Sequence, residues 1–247
     1  MKTILITGCS SGFGLATAQY FLARDWRVIA TMRTPREDLF APHPHLQVLA
    51  LDVTDAASIA AAVAAAGPID VLVNNAGIGL LGAVEGTPMA MVQEVFATNT
   101  FGTIAMVQAV LPQMRERRAG VIINVTSSVT LLPLPLLAVY TASKAAVNAL
   151  TESMALELQQ FNVRTHLVLP GRAPATSFGA KARPRIEHTI PPAYAALAAD
   201  VFDQWKMSTE PVTDAADVAE AVWRTANDAS APMRVPAGAD AVALSAP

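Results

Sequence analysis

Six short runs constrain this chain more than anything else in it: 2-KTILIT-7, 27-RVIATM-32, 46-LQVLAL-51, 70-DVLVNN-75, 120-GVIINVT-126 and 163-VRTHLVL-169. They are rich in β-branched residues and apolar on both faces. A strand covered on both sides by helices reads as a continuous apolar run, whereas one with a wet face alternates. Between the runs lie helical patterns at 13–25, 55–67, 88–118 (read as broken), 141–161 and 214–228, the last with Asp214 as a plausible N-cap. Strand–helix alternation needs right-handed crossover connections. The expectation is therefore α/β: a doubly wound parallel sheet with helices on both faces, forming a single domain over 1–247. The proline-rich stretch 172–212 has weak periodicity and reads as an excursion from the sheet that covers the substrate.

The bulk numbers exclude several classes. With 53% hydrophobic and 15% charged residues, disorder is ruled out. A net charge of −3 creates no positive field for nucleic acid, and the short basic cluster 181-KARPR-185 reads as a solvated loop. The single cysteine, Cys9, cannot form an intramolecular disulfide, which fits a reducing, cytoplasmic setting; beside a glycine-rich turn it reads as a small buried filler. The four histidines lack ligand spacing, so no metal site is assigned. The apolar opening run is too short for a signal peptide core. The charge-free stretch between Arg118 and Lys144 is long enough to cross a bilayer. It holds Asn124, four hydroxyl residues and two prolines, however, and reads as a buried strand and a stiff loop. No membrane partner is expected.

The first strand runs into 7-TGCSSGFG-14. Gly8, Gly12 and Gly14 permit positive φ and close backbone approach. The following helix offers unpaired N–H groups and partial positive charge to a pyrophosphate, with Ser10, Ser11 and Phe13 in the same turn. The order is G-x-x-x-G-x-G, not the G-x-G-x-x-G that goes with an acidic ribose ligand. The second strand ends 30-ATMR-33 with no carboxylate. Arg33 would attract a 2′-phosphate, so NADP(H) is preferred over NAD(H), which stays possible.

The stretch 140-YTASK-144 puts a phenol and an ammonium one helical turn apart on a shared face. A nearby ammonium is expected to lower the Tyr140 pKa from near 10 by about 1–3 units and bring the phenol into acid–base range. Ser127 ends the charge-free strand, where parallel sheets bind ligands, and its hydroxyl can donate to a carbonyl oxygen. Ser128 is the alternative.

The glycine motif, 74-NNAG-77, Asn99 in 98-TNTFG-102, 120-GVIINVTS-127, 140-YTASK-144 and 170-PG-171 together resemble the short-chain dehydrogenase/reductase family over roughly residues 2–175. The resemblance implies a Rossmann-like fold and hydride transfer between a nicotinamide cofactor and an alcohol or carbonyl. It implies that Tyr140 is the acid/base, Ser127 orients the substrate oxygen, Lys144 binds ribose and tunes the phenol, and Asn99 holds a relay water. Asp52, with Val53 beside it, would contact adenine, and Asn74, Ala76 and Gly77 would line the groove. Pro170, Gly171 and Ala173 would lie at the nicotinamide end. Here the pattern departs: four residues, 172-RAPA-175, separate Gly171 from Thr176 where the family usually has three, and Pro174 lacks an N–H.

Beyond the sixth strand, Phe178, Tyr194, Phe202, Trp205 and Met207 read first as packing a lid helix onto the body; any that face the pocket, with the loop 131–139, would favour an apolar ketone or alcohol. No charged residue clearly waits for a carboxylate or phosphate, with Arg172 and Arg183 left open. Excess apolar positions on 100–118 and 141–161 mean either a partner face or deep burial; the resemblance, in which such helix pairs form dimer faces, implies a homodimer or homotetramer. Two other readings share the fold: a silent dinucleotide-sensing regulator, which would need only the cradle, and an epimerase or dehydratase, which would want a larger C-terminal region.

Overall fold

The computed structural model describes residues 1–176 and 189–245. Phe178, Arg183, His188 and the 181–185 basic cluster lie outside the described residues. Seven parallel strands form one sheet: β1 Thr3–Ile6, β2 Arg27–Met32, β3 Leu46–Ala50, β4 Val71–Asn74, β5 Gly120–Val125, β6 Val163–Pro170 and β7 Arg234–Ala237. Their order is β3-β2-β1-β4-β5-β6-β7. The helices are α1 Gly12–Leu22, α2 Ala56–Ala66, α3 Met89–Phe96, α4 Gly102–Arg117, α5 Ala138–Leu158, α6 Ala195–Met207, α7 Ala215–Asn227 and α8 Ala239–Leu244. The expected doubly wound α/β architecture is what forms.

The two-sided apolarity of the strands has a direct structural meaning. Side chains alternate between the faces of a strand. Ile4, Ile6, Val28, Val71, Val73, Val121 and Ile123 point to one face, where α1 and α7 cover them with Phe21, Val218 and Val222. Leu5, Ile29, Leu72 and Ile122 point to the other, against Met106, Val110 and Met114 of α4 and Met154 and Leu158 of α5. Each such side chain contributes about 1.5–3 kcal/mol when fully buried. A one-residue slip would keep both faces apolar but break the complementary packing, so hydrogen-bonded register and helix position are set together.

Two elements take the form the sequence suggests, and one is not predicted. The break in 88–118 is a π-helical segment, Ala97–Phe101, with Asn99 and Thr100 buried in it. The stretch Met89–Arg117 is long and apolar enough to cross a membrane by length and composition, and much of that apolarity faces the sheet. The strand β7 goes unpredicted, being four residues with Pro236 inside. As the sheet's last strand it tolerates a missing N–H, and Pro236 registers with Leu169. Within 172–212, α6 packs Ala198 and Val201 on Leu81, Ala83 and Leu136, a third cluster beyond the main sheet. Asp214 does cap α7, its N–H donating to the Asp217 carboxylate at 2.9 Å.

The strand order reverses direction between β1 and β4. Ligand crevices in such sheets open at the carboxyl ends of the strands flanking that point. Gly8, Asn75 and Ser127 all follow directly from β1, β4 and β5.

Candidate active site

The crevice is built from the β1 turn outward. Gly8 and Gly12 take φ of 77° and 58°, a left-handed backbone that L side chains adopt with strain. A Cβ on Gly14 would lie 2.5 Å from the Gly8 carbonyl oxygen. The N-terminus of α1 has no acid in its first turn, and its N-cap, Ser11, makes no capping bond through its side chain. This geometry fits an anionic dinucleotide. Ser10 is exposed and Ser11 half-buried. Phe13 turns its ring into the first core cluster, so it can offer the crevice only its main chain.

Thr7 and Asn75, which the sequence reading passed over, hold this turn to β4. Asn75 Nδ2 donates to the Thr7 and Gly8 carbonyls at 2.9 and 3.3 Å. The amides of Asn75 and Ala76 both donate to Thr7 Oγ1, at 3.0 and 2.9 Å. The hydroxyl immediately before Gly8 was the available signal. Asn74, expected in the groove, instead gives its amide to Asn124 Oδ1 at 2.8 Å inside the sheet. Gly77 lies against the site: a Cβ there would be 3.3 Å from both Lys144 Nζ and Asn99 Oδ1.

At the ends of β2 and β3, Arg33 is exposed. Its charge helps hold the Asp52 carboxyl below the usual range, although the Thr54 hydrogen bonds are the larger cause and burial opposes them. Asp52 Oδ1 accepts from Thr54 N and Oγ1 at 2.9 and 2.7 Å. Val53 is a core residue whose side chain packs on Gly102.

Tyr140 and Lys144 are buried on the same side of α5. The Tyr140 hydroxyl and the Ser127 side chain are hydrogen-bonded. Lys144 Nζ donates to the Val125 carbonyl at 2.9 Å. One expectation is overturned. Burial pushes the Tyr140 phenol up to about 12, with the Ser127 hydrogen bond pulling the other way. Burial also pushes Lys144 down to about 8. Loss of water penalises the charged form of each group, and for the phenol it outweighs any benefit from the neighbouring cation.

Asn99 is hydrogen-bonded to its neighbours. Its Oδ1 accepts from Ile78 N at 2.8 Å, and its Nδ2 donates to Ile78 O and Ser143 Oγ, both at 3.0 Å. Ser143 Oγ in turn donates to the Tyr140 carbonyl at 2.7 Å. Both amide hydrogens are thus spent on protein groups and hold the Ile78 segment to α5, while Oδ1 keeps a second lone pair.

At the nicotinamide end, the extra residue is absorbed in a turn. Thr176 N and Oγ1 both donate to the Ala173 carbonyl, at 3.2 and 2.9 Å. This carries Thr176 back over the glycine turn, where its Cβ would lie 3.6 Å from a Cβ on Gly12. Pro170 ends β6, and Gly171 N donates to Thr213 Oγ1 at 2.9 Å. A Cβ on Gly171 would strike the Asp240 carboxylate, which also accepts from Arg172 N at 2.6 Å. Arg172 is not waiting for a substrate anion: its guanidinium donates to Trp205 O at 3.1 Å and Ser208 Oγ at 3.0 Å, closing the C-terminal end of α6. Tyr194 and Trp205 pack on the third cluster, whereas Phe202 and Met207 are 36% and 80% exposed. The described aromatics therefore serve mainly the packing of α6.

Comparison with known proteins agrees with this geometry. The profile of the family described as short chain dehydrogenase matches residues 2–186. Human retinol dehydrogenase 8 is 44% identical over 182 residues, covering 69% of this chain and 58% of that protein. The 3-ketodihydrosphingosine reductase of Bacteroides thetaiotaomicron is 41% identical over 174 residues, covering 69% and 63%. The chain thus spans between half and two thirds of the length of these curated relatives. A short-chain dehydrogenase from Streptomyces avermitilis has a TM-score of 0.84 at 34% identity, covering 98% of this chain and 90% of its own. A serine dehydrogenase in complex with NADP+ has a TM-score of 0.78 at 27% identity, covering 96% and 94%. A Burkholderia phymatum family member in complex with NAD has a TM-score of 0.79 at 27% identity, covering 95% and 88%.

Proposed function

The chain belongs to the short-chain dehydrogenase family, and from that premise we propose that it is an NADP(H)-dependent oxidoreductase reducing an apolar carbonyl compound to its alcohol. One observation carries the reading: Ser127, Tyr140 and Lys144 converge, buried, at the carboxyl end of β5, beside the glycine turn. A regulator that only sensed the dinucleotide would need the turn and not this constellation.

The nicotinamide cofactor, when bound, would supply the hydride. The glycine turn and the N-terminus of α1 would hold its phosphates, with Arg33 toward a 2′-phosphate. Ser127 would donate to the substrate carbonyl oxygen and place it against Tyr140. Burial keeps the Tyr140 phenol protonated at neutral pH, so the proton needed at the substrate oxygen is in place, although burial alone makes it harder to release. The Tyr140 O–H bond breaks as the proton passes to the substrate oxygen, and the Lys144 ammonium, one turn away, stabilises the phenolate left behind.

Apolarity of the substrate is supported by two curated relatives, a retinol dehydrogenase and a 3-ketodihydrosphingosine reductase. A homodimer or homotetramer is supported by Phe101 and Leu156, exposed at 61% and 78% at the start of α4 and on α5. The single buried Cys9 suits a cytoplasmic, reducing setting.

The test is a fluorescence titration with NADPH and NADH, followed by a panel of carbonyls of graded polarity read at the nicotinamide absorbance. Turnover of apolar ketones or aldehydes with NADPH is the expected result. Tight NADPH binding with no turnover of any carbonyl would put the silent regulator in its place.

A further inference from the structure

Asn148 lies on α5 one turn beyond Lys144 and two beyond Tyr140, and it is buried. Its Nδ2 donates to Thr130 Oγ1 at 2.9 Å. Thr130 Oγ1 donates to the Ser127 carbonyl at 2.8 Å, a bond doubled by Thr130 N at 3.2 Å. A threonine hydroxyl has one hydrogen, and here it goes to Ser127. The oxygen can then only accept, which fixes the Asn148 NH2 group as the one facing it. Asn148 Oδ1 is buried with no hydrogen-bond partner among the described residues. Leaving half a carboxamide unpaired is unfavourable, so packing alone gives no reason for an asparagine here.

We propose that Asn148 is a positioning residue for Ser127, acting through Thr130; the proposal rests on the oxidoreductase reading above. Three successive turns of α5 grip the stretch 125–130. Tyr140 meets the Ser127 hydroxyl, Lys144 holds Val125 O two residues before it, and Asn148 holds Thr130 three residues after it. Ser127 is therefore bracketed by ties to the helix that carries its two partners. The stretch that follows β5 is a short 3-10 turn, Ser128–Thr130, leading into the proline-containing loop 131–137, and it has little regular structure of its own to fix a hydroxyl. Asn148 supplies that fixity from a rigid element without touching a reacting atom.

The experiment compares wild type with Asn148→Ala, Thr130→Val, Thr130→Ser and the Asn148→Ala/Thr130→Val double variant. It reads kcat, NADPH affinity and amide hydrogen exchange. Displacement of a positioned group by about 1 Å costs up to 100-fold, so Asn148→Ala and Thr130→Val are each expected to lower kcat about 10- to 100-fold. NADPH affinity should stay within about twofold, as expected for a group that acts on the chemical step. Val129 N donates to Ser127 Oγ at 3.3 Å, so its amide and that of Thr130 should exchange roughly tenfold faster or more, while β5 and α5 amides hold. Thr130→Ser, which keeps the hydroxyl, should retain activity. The double variant should be no worse than the worse single, as residues of one chain of bonds behave.

The proposal is overturned if folded Asn148→Ala keeps both its kcat and its Val129 and Thr130 protection. Multiplying losses in the double variant, or cofactor affinity falling in step with kcat, would overturn it as well. Should Asn148→Ala not fold, the Thr130→Val and Thr130→Ser pair decides. A wild type that turns over no carbonyl sinks the oxidoreductase reading instead, and the exchange measurement then decides the clamp alone.

Discussion

Lys144 Nζ donates a 2.9 Å hydrogen bond to the carbonyl of Val125, the last residue of β5 and two before Ser127. The ammonium is thereby held inside the protein at the sheet's carboxyl edge. Its burial lowers its pKa to about 8, close enough to neutrality for pH to read it out.

Lys144→Met is expected to abolish turnover and to stabilise the fold. The group's folded pKa of about 8 lies below its ordinary 10.5. Below about 8 the folded state carries a buried charge that the unfolded chain solvates freely, a penalty of roughly 3 kcal/mol at most, which the Val125 bond already reflects in part. Stability of the wild type should therefore rise as pH goes from about 8 toward 10.5, and Lys144→Met should remove that rise. Thermal melts of both proteins across this range check the sign.

The same titration shapes activity. The kcat/KM profile should fall above pH about 8 as Lys144 loses its proton, since this ratio reports ionisations of the free enzyme. A profile flat to pH 10 would separate the Lys144 charge from the chemistry.

Tyr140→Phe removes the proton donor and leaves the glycine turn intact. Turnover should drop by about 10²–10⁴-fold, the usual contribution of a positioned acid, with NADPH affinity within a few-fold by fluorescence titration. Retained activity would take Tyr140 out of the mechanism.

Arg33→Ala tests the cofactor preference. A charge-assisted bond to a phosphate contributes about 1.5–3 kcal/mol, so NADPH affinity should fall roughly 10- to 100-fold while NADH binding is spared. Equal losses for the two would mean that Arg33 does not meet a 2′-phosphate.

His166 makes stability depend on acid. Its Nδ1 is 2.9 Å from Pro232 O and its Nε2 3.0 Å from Arg164 Nη1, so the neutral ring donates to the carbonyl and accepts from the guanidinium. Burial, chiefly, with Arg164's charge adding, lowers its pKa below 6.5, against opposition from the Pro232 bond and Asp228. A depressed folded pKa means that stability present above pH 6.5 is lost as pH falls through that value. Melting temperature should decline between pH 7 and 5, less so in His166→Gln.

Leu156→Glu places a charge on the exposed side of α5. If that face joins two copies, the variant should elute as monomer in light-scattering chromatography while the wild type does not. An unchanged assembly state would move the interface elsewhere.

The doubly wound fold was legible because six strands had to be apolar on both faces, and that requirement is written residue by residue. Six strands appear within about two residues of where the runs place them, since a dry strand tolerates few polar substitutes. The turn glycines and the i, i+4 relation of Tyr140 and Lys144 are equally local: one follows from permitted φ, the other from helical period. β7 escaped because four residues with a proline carry little pattern, and its existence depends on β6 being there to pair with.

What only the tertiary structure decided is the environment of each group. Arg172, whose role the sequence leaves open, closes α6; Asn74 reads as a groove residue and faces Asn124. The phenol reads as acidified by its neighbour, yet its burial raises it. Sequence determines which chemical groups exist and how neighbours along one element face. How much water each group loses, and which distant carbonyl takes its hydrogen, depends on contacts between segments such as 125–130 and 140–148 that only folding brings together.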